Sequence, residues 1–189
     1  PELESEFKPI QQDVSRGVQV LDNLLLLARL DPEQKESLAK TKFDFSLLMQ
    51  DVIKALQPFA DSKQIEVQMV LAKEVYVFAN EQLLFSALRN VLDNAIRYSP
   101  EQAKVFVTLT IERQQLRLSI ENSGYGVDVT VIQRLGERFY RALGTKTQGS
   151  GLGLSICQKI VDLHAGQLLF SPSDLGGLSV ELMLDVVKV

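Results

Sequence analysis

Two asparagines four residues apart are the first feature of this sequence that could do chemistry. Asn90 and Asn94 stand in the amphipathic stretch RNVLDNAIRY, and four-residue spacing places both side chains on one face of a helix. An amide oxygen is a neutral, hard ligand that suits Mg²⁺, an ion that keeps most of its water and bridges phosphates. Arg97 follows about one turn beyond Asn94 and adds a cation that could face the same phosphates. From the spacing alone, two exposed amides on a solvated face are the favoured alternative.

A glycine-rich segment at residues 149–154 is the second candidate for ligand binding. Its sequence, GSGLGL, runs directly into a predicted helix, so free backbone N–H groups and the helix N-terminus would form an anion site. The spacing is not that of the Rossmann fingerprint, and Ser150 stands where a Walker A loop requires lysine. Arg138, Arg141 and Lys146 lie upstream and could close over an anion, although isolated charges are also common on plain surface.

A further glycine-rich segment, ENSGYGV at residues 121–127, follows a predicted strand. Gly124 and Gly126 stand two residues apart, which allows positive φ and a close approach of the backbone to a ligand. An ordinary glycine turn has the same composition, so the segment alone leaves both interpretations open.

These segments require a scaffold, which the periodicity of apolar residues predicts. Helices alternating with hairpins predict an α+β fold, a two-layer sandwich in which helices cover one face of a mixed sheet. The predicted strands are residues 43–45, 65–71, 75–79, 105–112, 116–121, 167–170 and 178–186, with a hairpin turn at Gln114 and Gln115. The predicted helices are residues 47–60 with Ser46 as N-cap and Pro58 as a kink, 80 or 81–98, 129–139, and 150–165 capped by Gly166.

A separate helix is predicted over residues 9–29, where apolar residues recur with the spacing of a coiled-coil seam. A single helix cannot bury such a stripe, so it needs a partner: its own domain or, the favoured alternative, another chain or missing sequence. The polar stretch that follows is typical of a linker. The predicted division is a helical segment at 1–31, a linker at 32–42 and a globular domain at 43–189.

The composition excludes several classes of function. The chain has 189 residues, and 20 Lys and Arg against 24 Asp and Glu give a net charge of −4, which argues against a nucleic-acid partner. One cysteine and one histidine exclude an internal disulfide and a zinc site built from those residues, and favour a reducing compartment. Apolar runs of about five residues are far shorter than the roughly 20 that span a bilayer. The start, PELE, shows no methionine or signal peptide, so we expect a fragment of a longer chain.

Taken together, these segments resemble the catalytic, ATP-binding part of bacterial sensor histidine kinases. That domain has the Bergerat fold, which type II topoisomerases, an ATP-dependent heat-shock chaperone and the MutL repair protein share. Residues 90–94 with RYSP at 97–100 resemble the N box, 122–126 the first glycine box, 137–141 the F box, 149–154 the second glycine box, and 24–31 the end of the second dimerisation helix. The sequences GERFYR and GSGLGLSI are similar to those of sensor kinases of the quorum-sensing and polymyxin-resistance type.

The resemblance implies ATP and Mg²⁺ as the bound groups and assigns roles to residues. Asn94 would ligate Mg²⁺ with Asn90 nearby, and these two with Arg97 form the expected catalytic set. The segment between Arg141 and Gly149 would be a mobile lid over ATP. The nucleotide-binding residues implied are Asn90, Asn94, Arg97, Tyr98, Asn122, Gly124, Gly126, Arg138, Phe139, Arg141, Lys146, Gly149, Ser150, Gly151, Leu152, Gly153 and Leu154.

The resemblance also implies a reaction. Relatives that hydrolyse ATP carry a glutamate at the position of Asn90, and an amide cannot take a proton from water, so the expected nucleophile is a histidine of the dimerisation domain. The SHELR-like motif that carries this histidine in the family does not occur here. We expect His164 to be structural, and the chain to bind nucleotide without phosphorylating itself.

The expected partners are a response regulator and the dimerisation helices of a second copy of the full-length kinase. No nucleic acid or membrane contact is expected for this fragment, which would be the cytoplasmic portion of an inner-membrane protein. Two alternatives remain open: a degenerate nucleotide-binding module that only regulates, and an ATPase of the same fold, which would need a base that Asn90 is not.

Asn122 departs from the family, whose first glycine box usually starts with an aspartate that accepts a hydrogen bond from the adenine amine. The amide oxygen of Asn122 can also accept this bond, but without charge. We therefore expect ATP binding weaker by about 1–2 kcal/mol than with aspartate.

Overall fold

The computed structural model describes residues 39–142 and 150–187, together with Leu21. The predicted helix at 9–29, apart from Leu21, and most of the predicted linker lie outside these residues, as do Lys146 and Gly149. The strands are β1 (Thr41–Asp44), β2 (Glu66–Leu71), β3 (Tyr76–Ala79), β4 (Lys104–Glu112), β5 (Gln115–Ser123), β6 (Gln167–Pro172) and β7 (Gly176–Asp185). The helices are α1 (Phe45–Ser62), α2 (Glu81–Tyr98), α3 (Val129–Ile132) and α4 (Gly153–Leu163).

Five strands form one mixed sheet in the order β2-β4-β5-β7-β6. The β2–β4 pair is parallel, and the other three pairs are antiparallel. The strands β1 and β3 form a separate antiparallel pair, which the sequence did not distinguish from the main sheet. The predicted α+β class with a mixed sheet is confirmed.

The core lies between the main sheet and the helices α1, α2 and α4. Along β4, Val105, Val107 and Leu109 are at most 1% exposed, whereas the intervening Phe106 and Thr108 are only partly buried. Period-two alternation of this kind means that one face of the strand points into the core. Each helix contributes a buried apolar stripe, and α2 and α4 pack directly against each other. The helices therefore cover one face of the sheet, as predicted.

The start of the first helix differs from the prediction. Asp44 is the N-cap, and its Oδ1 accepts a hydrogen bond from the Ser46 N–H at 2.8 Å. Ser46 is inside the helix, where its hydroxyl donates to the Ala72 carbonyl at 2.6 Å. The prediction of Ser46 as N-cap was wrong because aspartate two residues earlier caps equally well. The helix runs on through Pro58 to Ser62.

Residues with positive φ explain three further differences. The β4–β5 turn is Arg113-Gln114, with φ of 51° and 71°, one residue before the predicted turn. The predicted helix at 129–139 ends at Ile132 and gives way to turns in which Gly136 has φ of 93°. The helix predicted from residue 150 begins only at Gly153, because Gly151 is left-handed with φ of 71°.

The junction of α2 and α4 involves His164. Its Nδ1 lies 2.7 Å from the Ile160 carbonyl, which can only accept, so Nδ1 carries the proton and donates it. Nε2 then accepts a hydrogen bond from the Asn80 N–H at 3.0 Å. Both ring nitrogens are therefore engaged by the backbone, and the prediction that His164 is structural is confirmed.

Stability should depend on the protonation of His164. Burial lowers the pKa of this imidazole, and the charge of Lys40 lowers it further. The unfolded chain, with a histidine pKa of about 6.5, then binds a proton more readily than the folded protein. The free energy of unfolding should fall as pH is lowered from about 7.5 through 6.5 toward the depressed folded pKa. Urea titrations between pH 5.5 and 8 measure this slope. His164→Gln should flatten it, and an identical slope in both proteins would contradict the prediction.

Within the described ranges, no helix is long and apolar enough to cross a lipid bilayer.

Candidate functional site

The helix α2 presents Asn90 and Asn94 side by side. Its N-terminus is capped by Asn80, whose Oδ1 accepts a hydrogen bond from the Leu83 N–H at 3.0 Å. Its apolar face is buried in the core, so the polar face carries the two asparagines. Both are only partly buried, and neither amide forms a hydrogen bond within the described part of the chain. Two unpartnered amides are therefore available to a ligand.

The C-terminus of α2 is held by Lys63, the first residue after α1. Its ammonium donates hydrogen bonds to the carbonyls of Ile96, Arg97 and Ser99 at 2.9, 3.0 and 2.7 Å. These carbonyls have no N–H partner within the helix, and a cation beside them is favourable to the helix dipole. Burial, and then the charge of Arg97, lower the pKa of Lys63. Sequence reasoning missed this residue because its partners are 33 to 36 positions away.

Gly153, in the glycine-rich segment at residues 149–154, lies beside the two asparagines. A Cβ added at Gly153 would be 3.7 Å from Nδ2 of Asn94 and 3.9 Å from Cγ of Asn90. Gly153 is the first residue of α4, whose first turn has no side-chain cap. The N-terminus of α4 therefore meets the two amides, and an anion there would encounter uncapped N–H groups.

Gly151 has no room for a side chain. A Cβ at this position would be 2.8 Å from the Phe139 carbonyl carbon and 2.9 Å from the Tyr140 carbonyl oxygen. The Phe139 N–H donates to the Gly151 carbonyl at 3.0 Å, and Phe139 itself has a positive φ of 61°. The segments predicted as the F box and the second glycine box are therefore bonded to each other through their backbones.

The glycine-rich segment at residues 121–127 contacts the C-terminal end of α2. Asn122, at the end of β5, is 5% exposed, and its Nδ2 donates to Oγ of Ser99, just after α2, at 3.1 Å. On the other side, the Gly126 N–H donates to the carbonyl of Gly176, the first residue of β7. Both glycine-rich segments therefore lie beside α2, which carries Asn90 and Asn94: Gly153 near the middle of this helix and Asn122 at its C-terminal end.

The amide of Asn122 is fully oriented by its neighbours. Oδ1 accepts from the Leu178 N–H at 3.2 Å, and Nδ2 also donates to the Ser123 carbonyl at 3.2 Å. Gly177 packs so closely that a Cβ there would be 2.1 Å from the Asn122 carbonyl oxygen. Asn122 is thus a structural residue in addition to its predicted role toward adenine, and Ser99 and Gly177 are contacts that the sequence did not identify.

Asn122→Asp should have two opposite effects. The carboxylate should tighten ATP binding roughly tenfold, because it accepts the predicted adenine bond with charge. It should also lower the free energy of unfolding by about 1–3 kcal/mol, because an oxygen replaces Nδ2 and faces the Ser123 carbonyl. Calorimetric titration with ATP and urea unfolding of both proteins measure the two effects. Unchanged affinity would exclude the predicted adenine contact, and unchanged stability would exclude the structural role.

The remaining predicted residues are placed as follows. Arg97 forms an ion pair with Asp93 at 2.9 Å and lies over the ring of Phe59, so its predicted phosphate contact would require it to leave Asp93. The side chain of Leu152 is fully buried, which leaves only its backbone for a ligand. Tyr98, Arg138, Phe139 and Arg141 are exposed, Ser150 and Leu154 are partly buried, and Lys146 and Gly149 lie outside the described residues.

The donor set decides which metal the site suits. In the described part of the chain, no three His, Cys, Asp or Glu side chains are grouped so that they could hold a metal ion. The available ligands are the neutral amide oxygens of Asn90 and Asn94, beside a helix N-terminus suited to anions. Few protein ligands, with phosphate and water completing the shell, are typical of Mg²⁺. The residues present therefore fit a magnesium-bound phosphate group.

Comparison with known families decides the kind of domain. A sequence profile described as histidine kinase-, DNA gyrase B-, and HSP90-like ATPase matches residues 79–188, more than half of the chain. The chain belongs to this ATPase family. The matched range contains α2 and both glycine-rich segments, so it includes the whole candidate site.

Curated relatives of this ATPase domain are sensor kinases. Sensor protein QseC of Escherichia coli (strain K12) is 34% identical over 175 residues, covering 92% of this chain and 38% of the relative. Sensor protein kinase PmrB of Pseudomonas aeruginosa is 32% identical over 179 residues, covering 93% of this chain and 37% of the relative. The predicted resemblance to sensor histidine kinases is confirmed. The chain spans less than half the length of these relatives.

Solved structures show the same fold. The catalytic domain of histidine kinase ThkA is 26% identical, with a TM-score of 0.71, covering 78% of this chain and 95% of that domain. ThkA in complex with the response regulator protein TrrA is 21% identical, with a TM-score of 0.76, covering 98% of this chain and 52% of that one. The architecture of the ATPase domain is therefore that of histidine kinase catalytic domains.

Proposed function

We propose that this chain binds Mg²⁺-ATP and is the catalytic portion of a two-component sensor histidine kinase. It would transfer the γ-phosphate to a histidine of a dimerisation domain, for relay to an aspartate of a response regulator. The observation that supports this most strongly is the position of Gly153, at the N-terminus of α4, beside the amides of Asn90 and Asn94, which have no hydrogen-bond partner among the described residues. Membership of the ATPase family agrees with a nucleotide at this place.

Each part of the site has a task in this proposal. Asn94 would ligate Mg²⁺ through its amide oxygen, with Asn90 beside it, and when bound the ion neutralises charge on the phosphates. The first N–H groups of α4 would hold phosphate oxygens, and Gly151 and Gly153 let the backbone approach them. Positioning and charge stabilisation are most of what phosphoryl transfer requires of a protein.

The identity of Asn90 supports a kinase over an ATP hydrolase. A carboxylate at this position could take a proton from water, but an amide cannot. The γ-phosphate would therefore be kept for a stronger nucleophile, an imidazole nitrogen. The new phosphorus–nitrogen bond forms as the bond to the β-phosphate oxygen breaks, and ADP leaves. His164 does not suit this role, because both of its nitrogens are engaged by the backbone.

The proposal extends to parts of the protein beyond the described domain. Residues 1–31 would be the end of a dimerisation helix, 32–42 a linker and 43–189 the catalytic domain, although β1 already begins at Thr41. Dimerisation through these helices, a response regulator as partner, and a cytoplasmic location within an inner-membrane protein complete the proposal. The complex of ThkA with a response regulator supports the choice of partner.

Phosphotransfer in trans tests the proposal. The chain, [γ-³²P]ATP and a separately produced dimerisation domain of a QseC-like kinase should together give label on the dimerisation domain. The chain alone should retain no label, and label on His164 would overturn the assignment of the acceptor. Nucleotide binding without transfer to any dimerisation domain would favour the degenerate regulatory module, and sustained ATP turnover by the chain alone would favour an ATPase.

A further inference from the structure

We propose that His164 is a positioning residue: its bond to the Asn80 backbone sets the register of α4 against α2, and so sets Gly153 beside Asn90 and Asn94. This inference rests on the proposed function only in taking Gly153, Asn90 and Asn94 as the nucleotide site. The two hydrogen bonds of the His164 ring go to Asn80 and Ile160, not to Gly153 or the two asparagines. His164 lies at the end of α4 opposite Gly153.

The two helices are antiparallel and touch at three levels. At one end, the N–H of Asn80 donates to Nε2 of His164 at 3.0 Å. In the middle, the Cys157 thiol donates to the Ala87 carbonyl at 3.2 Å. At the far end, Gly153 is placed so that an added Cβ would lie 3.7–4.0 Å from side-chain atoms of the two asparagines. Residue numbers rise along α2 from Asn80 to Asn94 while those of their partners on α4 fall from His164 to Gly153. A single antiparallel register therefore accounts for all three contacts.

Of these contacts, the one at His164 is the most directional. The Cys157 thiol is fully buried and its pKa is raised to about 12, so it remains a neutral thiol, which is a weak donor. Most of the remaining contact between α2 and α4 is apolar. Apolar packing tolerates substitution and adjustment as long as volume is kept, whereas a buried, satisfied hydrogen bond specifies one arrangement.

The connection from His164 to Gly153 is mechanically direct. The ring of His164 is bonded to α4 itself through the Ile160 carbonyl at 2.7 Å, so ring and helix move together. Asn80 is bonded to α2 through its cap on Leu83, so the other half of the junction moves with α2. A helix of 11 residues is a rod of about 16 Å, and a shift at one end of the rod appears at the other.

Three substitutions of His164 separate this role from general stability. His164→Ala removes both ring bonds. His164→Asn has a short amide that matches only the Nδ1 end of the ring, whereas the longer amide of His164→Gln reaches the Nε2 position and can accept from Asn80. Leu163→Val is the matched control, because it trims a buried neighbour without altering either bond.

The first measurement needs no nucleotide. The ¹⁵N–¹H signals of the Gly153 N–H and the side-chain amides of Asn90 and Asn94 should shift in His164→Ala and His164→Asn, and return toward wild type in His164→Gln. They should stay in place in Leu163→Val. Unmoved signals in His164→Asn, or equal shifts in Leu163→Val, would overturn the proposal. If His164→Ala does not fold, the comparison of His164→Asn with His164→Gln still tests the proposal.

The second measurement is calorimetric titration with Mg²⁺-ADP at a temperature at which every variant is folded. His164→Asn should bind roughly two- to thirtyfold more weakly than wild type, with recovery in His164→Gln and no change in Leu163→Val. Equal affinity in His164→Asn and wild type would overturn the link to nucleotide binding. Absence of ADP binding by the wild type would instead contradict the proposed function, and the nucleotide-free signals would still test the register.

Discussion

Replacing Asn94 with alanine should weaken the binding of Mg²⁺-ATP by about one to two orders of magnitude. The substitution removes an amide oxygen proposed as a magnesium ligand beside the N-terminus of α4. The loss should be confined to the magnesium-dependent part of binding, so titrations with ATP in MgCl₂ and in EDTA should differ in wild type and nearly coincide in the variant. The fold should be almost unaffected, within about 0.5 kcal/mol, because the amide has no partner within the described chain.

Gln82→Ala is the matched control for this experiment. Gln82 is an exposed amide on the same helix, two turns or more from the site, so its removal should leave affinity unchanged. Asn90→Ala should weaken binding less than Asn94→Ala, since Asn94 is the proposed ligand and Asn90 its neighbour. Wild-type affinity in Asn94→Ala would exclude the magnesium site at α2.

Gly151→Ala should lower the free energy of unfolding by about 2–4 kcal/mol, the combined effect of left-handed strain and overpacking. Gly151 has φ of 71°, and an added methyl would lie within 3 Å of the backbone of Phe139 and Tyr140. Because those atoms belong to the backbone, they cannot turn aside as a flexible side chain would. Urea unfolding monitored by far-UV circular dichroism measures the loss.

Gly153→Ala, two residues later, is the opposite case. Its nearest neighbours would be 3.7–4.0 Å away, which is ordinary van der Waals contact, and the residue is helical. Stability should be unchanged or rise by up to about 1 kcal/mol, while nucleotide affinity falls because the methyl lies beside the amides of Asn94 and Asn90. Equal destabilisation by the two alanines would contradict the assignment of strain to Gly151, and full affinity in Gly153→Ala would remove Gly153 from the site.

Much of the scaffold could be predicted from local pattern. The amphipathic periodicity of α2 gave its bounds, since Asn80 is a good cap and Ser99-Pro100 a good stop. Apart from the N-cap of α1, the errors fall where the φ angles of a few residues decide where a helix or turn begins or ends. Gly136 and Gly151 take positive φ, which shortened two predicted helices, and a glycine in a sequence does not state which sign of φ it will adopt.

The candidate site was predictable only as a set of segments. Residue types and spacing indicated two amides, glycine-rich loops and a helix N-terminus, because the residues of each segment lie within a few positions of one another. The order of the segments along the chain indicated a family. The four-residue spacing of Asp93 and Arg97 on the predicted helix allows their ion pair, but the sequence did not show whether Arg97 would face Asp93 or a phosphate. Nothing in the sequence showed that Asn122 would be held between Ser99 and Leu178.

The sequence by itself determined which chemistry this protein carries: two amides on one helical face, loops without side chains, and no base at residue 90. Only the tertiary structure decided how those parts are held, through Lys63 on the end of α2 and His164 on the start of it. The physical reason is range. Periodicity and capping act over one or two turns of chain, whereas these bonds join groups 36 and 84 positions apart, and their partners become neighbours only when the core packs.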